Sequence, residues 1–334
     1  MRKAIFLLAC LLATVWAAPA APAPGLRIYF IDVEGGQATL IATPSGESML
    51  VDAGWPGARD ADRIAAAAKS AGVKRIDYLL VTHHHLDHVG GVPDVAAKIP
   101  VVTFVDHGPS VETDALARKL QAAYDAVLPK GKHLVVKPGD RIPLAGVEVQ
   151  VVAARGEAIA KPLAGAGAPN GACAGVKPQE ADPSENARSA GFLLSYGKFR
   201  FADFGDLTWN KELALVCPNN LIGTTDVYLV SHHGVDISNS PAFVHALHPK
   251  VAIMNNGAKK GGSPKAWTVI RESPGLEDLW QLHTAVEGRN SPEQFIANPE
   301  GAADQGNWLA LTARADGSFT VKNSRNGFEK AYKK

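Results

Sequence analysis

Residues 82–88 read Thr-His-His-His-Leu-Asp-His, which places the imidazoles of His83, His84, His85 and His88 and the carboxylate of Asp87 in six consecutive positions. Imidazole nitrogen and carboxylate oxygen are the ligands of a catalytic zinc site, where one position stays open to water. In an extended loop, side chains two apart point the same way, so His83 and His85 suit one metal. Asp87 and His88 lie one short bend further on and suit a second. Two metals can hold one hydroxide between them and polarise the bond it attacks. The alternative for such a run is a solvated histidine cluster. Two further places supply the same residue types: Gly205-Asp206, after the apolar run 199–204, and Ser231-His232-His233-Gly234, after the run 227–230. A lone Asp after Gly is ordinarily a turn, and a lone His is ordinarily surface or core. Here both follow predicted strands, as Asp87 does.

Short apolar runs separated by turn residues predict the elements that carry these groups. Strands are expected at 26–33, 38–42, 48–51, 76–82, 101–105, 192–196, 199–204, 227–230 and 251–254. A final pair, 308–313 and 318–323, turns at Asp316-Gly317. A hairpin is expected from His133 to Val152 with its turn at Pro138-Gly139-Asp140. Helices are expected at 60–71, ending on Gly72, at 112–128, and after Ser240-Pro241. Strand clusters with interspersed helices indicate a mixed α/β sandwich. Residues 155–188 are dominated by Ala, Gly and Pro and read as a flexible insertion, either functional or mobile.

With these pieces in order, the chain resembles metallo-β-lactamase-fold hydrolases. Within them it is most similar to the branch of the ComEC metallo-hydrolase domain and the bacterial phosphorylcholine esterases. The resemblance rests on residues 31–41 (Ile-Asp-Val-Glu-Gly-Gly-Gln-Ala-Thr-Leu-Ile), Val51-Asp52-Ala53-Gly54, the 82–91 motif, 186–196, Phe204-Gly205-Asp206 and Ser231-His232-His233-Gly234. It implies an αββα sandwich with metals at one edge of two sheets. Carried over position by position, His83 and His85 would bind a first metal. Asp87, His88 and His232 would bind a second, with His233 as the alternative to His232, and Asp206 would bridge both. Asp32 and Asp52 would fix the His loop by hydrogen bonds. Many relatives supply another His to the first metal, after a strand corresponding to 147–152. None stands there in this chain, whose segment Glu185-Asn186-Ala187-Arg188-Ser189 offers Asn186 instead.

The resemblance further implies hydrolysis by a metal-bound hydroxide oriented by Asp87 and His88, with one or two zinc ions per chain and manganese or iron as alternatives. Phosphodiester-type or other small-molecule substrates are expected. A β-lactamase or lactonase activity is the alternative on the same site, and a non-catalytic metal-binding module is the alternative from another class. A di-iron redox role is disfavoured, because that branch has a carboxylate where His85 stands. His107 and His283 are candidate metal or substrate contacts, and the Lys259-Lys260-Gly261-Gly262 loop is a candidate substrate contact.

Composition sets the outer limits. The chain has 334 residues, 46% hydrophobic, enough for one large core or two smaller ones and too apolar for a disordered chain. Lys+Arg 34 against Asp+Glu 33 leaves a net charge of +1, which does not support bulk-charge binding to nucleic acid. Arg2-Lys3, the apolar run 5–16 and the small residues Ala17, Ala18 and Ala20 form a secretory leader pattern, with a Pro/Ala linker to residue 23. The remaining 24–334 is expected to be one periplasmic or secreted domain, with no later segment of membrane-spanning length. Anchoring through a lipobox-like Cys10 is the lesser alternative. Leader removal would leave Cys173 and Cys217, which can pair in an oxidising compartment or remain free thiols.

Overall fold

Several strands are buried along their whole length, among them Ser48–Val51, Val251–Met254 and Asp278–His283. Such strands need cover on both faces. The structure, a computed structural model describing residues 25–299 and 305–334, provides it with two nine-stranded sheets stacked face to face and helices outside each. The expected leader and Cys10 lie outside the described residues. Among the described residues no helix is long and apolar enough to cross a membrane.

The first sheet runs, edge to edge, through Glu329–Tyr332, Phe319–Asn323, Leu309–Ala313, Leu26–Phe30, Thr39–Ala42, Ser48–Val51, Ile76–Leu80, Val101–Asp106 and Lys132–Val135. The second runs through Ile296–Asn298, Asp278–His283, Val251–Met254, Val227–Leu229, Phe199–Asp203, Gly191–Tyr196, Glu148–Ala154 and Arg141–Ile142. Glu157–Ala158 pairs with Glu148–Ala154. Between the sheets lies an apolar layer that includes Phe30, Leu80, Phe192, Phe201, Ile253 and Trp280. Helices α1 (Ala58–Ala71), α2 (Leu86–Val89), α3 (Val92–Lys98) and α4 (Ala115–Asp125) accompany the first sheet; Ile64, Val95 and Tyr124 bury against its outer face. On the second sheet α5 (Trp209–Val216), α6 (Pro241–Leu247) and α7 (Pro264–Arg271) do the same through Leu215, Phe243 and Ile270. The architecture is an αββα sandwich, as the resemblance implied.

The central strands of both sheets are parallel, from Ser48–Val51 to Lys132–Val135 in one and from Phe199–Asp203 to Ile296–Asn298 in the other. Parallel strands deliver their carboxyl ends to one edge, where α/β proteins place their ligands. At that edge emerge Asp52, the 82–88 segment, Asp206 and the His232-His233 pair.

One expectation fails. The 133–152 stretch is not a hairpin: Lys132–Val135 pairs parallel to Val101–Asp106, and the chain then crosses to the second sheet, where Arg141–Ile142 pairs antiparallel with Glu148–Ala154. The Pro138-Gly139-Asp140 turn is that crossing. Val136 just before it is buried between the sheets, so its apolar side chain draws the chain inward. The insertion is irregular but pinned. It contains two short 3-10 turns and a bridge between Pro169 and Asn219, and Cys173 is disulfide-bonded to Cys217 at the end of α5.

Candidate metal centre

Asp52 organises the first half of the site. One oxygen accepts from the Thr82 N–H at 2.7 Å; the other accepts from Thr82 Oγ1 at 2.7 Å and from His88 Nδ1 at 2.8 Å. Holding Nδ1 in this way turns His88 Nε2 into the site. The second half follows the strand Phe199–Asp203. Gly205, with φ +53°, lies so close to Thr82 that an added Cβ would come within 2.8 Å of that side chain. Only glycine lets Asp206 reach the His segment.

Each oxygen of Asp206 faces a different group of imidazoles. Oδ1 is 3.2 Å from His88 Nε2 and 3.4 Å from His233 Nε2. Oδ2 is 3.3 Å from His232 Nε2 and 3.9 Å from His83 Nε2. Asp87 Oδ2 joins the first group, 3.2 Å from His233 Nε2 and 3.4 Å from His88 Nε2. Ligand atoms of Asp87, His88, Asp206 and His233 all lie within 4.8 Å of one another.

The tandem histidines can both reach Asp206 because both take left-handed backbone, with φ 54° at each. In extended chain, neighbouring side chains point apart. Two consecutive non-glycine residues in this region cost about 1–3 kcal/mol each and persist only where their surroundings fix them. The fixing bonds are His232 N–H to Gly205 O at 3.0 Å and Gly262 N–H to His233 O at 2.9 Å. The expectation had one of the two beside the second group; the structure brings both to Asp206. His233 lies with Asp87 and His88, while His232 lies on the His83 side, where a further His had been missing.

The electrostatics match this layout. Burial, and then the neighbouring His88, push His83 well below the ordinary imidazole range, which favours its neutral form. Burial and then His233 lower His232 to about 4, against the pull of Asp206. Burial opposes ionisation of Asp206, but His232, His88 and His233 outweigh it and hold the carboxylate well below its usual range. At His88 burial is likewise outweighed, by Asp206, Asp87 and Asp52, which favour positive charge there. His83 Nε2 and Asp206 Oδ1 are buried without a hydrogen-bond partner. Four imidazoles and two carboxylates with orphaned buried donor atoms fit one or two divalent metals of the zinc, manganese or iron type.

The other predicted residues lie nearby in different roles. His85 caps α2 and turns Nε2 to Glu112 Oε1 at 3.0 Å, its ring 4.7 Å from that of His83. Asn186 does not enter the centre through a hydrogen bond: its backbone bonds to Ser184 and Ser189, and its buried Oδ1 has no hydrogen-bond partner. His107 is buried beside His84, bonded to Glu185 Oε2 at 3.0 Å, and His283 is buried against Asp32 Oδ1 at 2.7 Å. Each belongs to a separate group of closely spaced metal-ligating side chains, His84, His107 and Glu185 in one and Asp32, Glu34 and His283 in the other. Asp32 does not hold the His loop; it binds His283 and the Arg63 guanidinium at 2.8 Å. Lys260 places Nζ on Asp87 Oδ2 and 5.3 Å from the Trp55 ring centroid. Glu112, Glu185 and Trp55 were not singled out in the sequence, because nothing local marks residues whose partners are 27 to over 200 positions away.

Residues 31–159 match the family model described as the Metallo-beta-lactamase superfamily. The match covers less than half of the chain, and the two-sheet αββα sandwich is in keeping with it. Curated relatives match over short stretches. Hydroxyacylglutathione hydrolase of Vibrio parahaemolyticus is 54% identical over 37 residues, 11% of this chain and 14% of that protein. The enzyme of the same name from Stenotrophomonas maltophilia is 36% identical over 66 residues, 20% of this chain and 23% of that protein. Each stretch thus spans less than a quarter of the relative. Among solved structures, the metallo-β-lactamase fold protein YhfI from Bacillus subtilis superposes with a TM-score of 0.46 at 9% identity, covering 76% of this chain and 95% of that one. A putative metal-dependent hydrolase from Parabacteroides distasonis gives 0.43 at 17% identity, covering 79% and 94%.

Proposed function

We propose that the chain is an exported, metal-dependent hydrolase of phosphodiester-type substrates, with two divalent metals, most simply zinc, at the Asp206 edge. The observation that carries the reading is the division of imidazoles between the two oxygens of Asp206. His83 and His232, with His85 beside them, would hold one metal. Asp87, His88 and His233 would hold the other. When bound, such metals supply a water activated at neutral pH and positive charge for the oxygen under attack. The protein's own part is to keep His83 and His232 neutral, to aim His88 through Asp52, and to exclude water from the buried carboxylates.

The substrate class is supported by charge at the rim and by the resemblance in the 31–41, 82–91 and 231–234 segments to phosphodiester-cleaving relatives. Lys260 belongs to a loop held close by Gly261, whose φ is +77° and whose Cβ, if present, would meet His233 O at 2.1 Å. Its half-buried ammonium beside Asp87 suits an anionic substrate. A thioesterase is the second reading, because the short curated matches are to hydroxyacylglutathione hydrolases. Parallel assays with bis(p-nitrophenyl) phosphate, an S-acyl glutathione and a chromogenic β-lactam decide between them. Chelator-sensitive turnover greatest on the diester is expected; preference for the thioester would replace the phosphodiester reading.

A further inference from the structure

Glu112, in the loop before α4, has a side chain shared between two segments. Its Oε1 accepts from His85 Nε2 at 3.0 Å and from the backbone N–H of Glu185 at 3.2 Å. Glu185 completes the clasp. Its Oε2 accepts from the His84 N–H and from His107 Nε2, each at 3.0 Å, and its Oε1 accepts from the Val111 N–H at 2.7 Å. The same turn continues to the centre: Ser189 Oγ accepts from the Asp206 N–H at 3.2 Å, and the Ala190 N–H donates to Thr82 O at 2.8 Å. The end of the 155–188 insertion is thereby joined to both halves of the site, and Glu112 is its link to the His85 ring.

A carboxylate oxygen accepts, so this contact keeps the His85 proton on Nε2 and leaves the lone pair on Nδ1. Partners of this kind fix the tautomer and orientation of metal-ligating imidazoles. His83, His88, His232 and His233 are already aimed at Asp206. His85 is instead held from outside, by Glu112. We propose that Glu112 is a positioning residue for His85, and that it sets how firmly the metal on the His83 side is held. The inference rests on the metal-centre reading above.

The test compares Glu112→Ala and Glu112→Gln with the wild type by zinc and cobalt titration, and by 15N NMR of the His85 ring in chelated protein. Glu112→Ala is expected to weaken one metal equivalent about 10–100-fold while leaving the other unchanged. The His85 ring should shift from a single Nε2–H tautomer to a mixture. Glu112→Gln, whose Oε1 still accepts, should recover most of both. Two tight metals and an unchanged tautomer in Glu112→Ala would overturn this inference alone. A wild-type protein that takes up no metal would overturn it together with the reading beneath it.

Discussion

Asp206 is the residue on which the site turns, since each of its oxygens serves a different pair of imidazoles. His233→Ala should therefore strip metal from the Asp87 side and His232→Ala from the His83 side. Each variant should keep about one equivalent by elemental analysis and lose at least about 100-fold in turnover. Lys260→Met should raise KM for an anionic diester more than for a neutral ester, with metal content unchanged. Glu185 gives a pH prediction. Burial works against its ionisation, but the His107 imidazole and the backbone N–H groups of Val111 and His84 outweigh it and bring it to about 2 from a usual 4.5. A depressed pKa adds stability that is complete above about pH 4.5 and drains away toward pH 2. Urea unfolding in chelator should show that loss in the wild type and a flatter profile in Glu185→Gln. At this scale the motif residues were legible because four imidazoles and a carboxylate in six positions have few other uses. The assignment of His232 and His233 was not, because it depends on two left-handed backbone residues that no composition signals. The carboxylate partners of His107 and His283 were hidden for a different reason: they are distant in sequence, and a single His with a remote partner looks the same as a free one.

The elements that bring these residues together are strand ends and the turns that leave them. Strands such as Ser48–Val51 and Val251–Met254 were readable to the residue, since apolar β-branched and long side chains bounded by turn residues leave little choice. The crossing at 136–140 was hidden because a Pro-Gly-Asp turn has the same sequence whether it closes a hairpin or changes sheets. Helices α5 and α7 were missed; they are eight residues each and too short to impose a clear period. The insertion makes a stability prediction of its own. Its disulfide spans a sequence separation of 44, for which chain entropy gives about 3–4 kcal/mol. Cys173→Ser with Cys217→Ser should lower unfolding stability by up to that amount, and added reductant should bring the wild type to the same level.

For the molecule as a whole, the parallel centres of two sheets direct every candidate ligand to one edge, and the layer between the sheets keeps the two halves in register. Phe201, fully buried and 5.9 Å from Phe30 across that layer, should cost about 3–5 kcal/mol when replaced by Ala, read as a fall in thermal midpoint. The sandwich class could be anticipated because clustered strands with helices between them have few ways to cover both faces. The pairing of distant strands could not, since the last three strands of the chain return to the first sheet. The two divalent metals proposed for this edge would share Asp206 between them. Elemental analysis of protein purified without chelator decides whether they are there. Close to two divalent ions per chain are expected, falling to none in Asp206→Ala with the fold retained by circular dichroism. Two ions still bound to a folded Asp206→Ala protein, or none bound to the wild type after zinc or manganese is added back, would contradict that proposal.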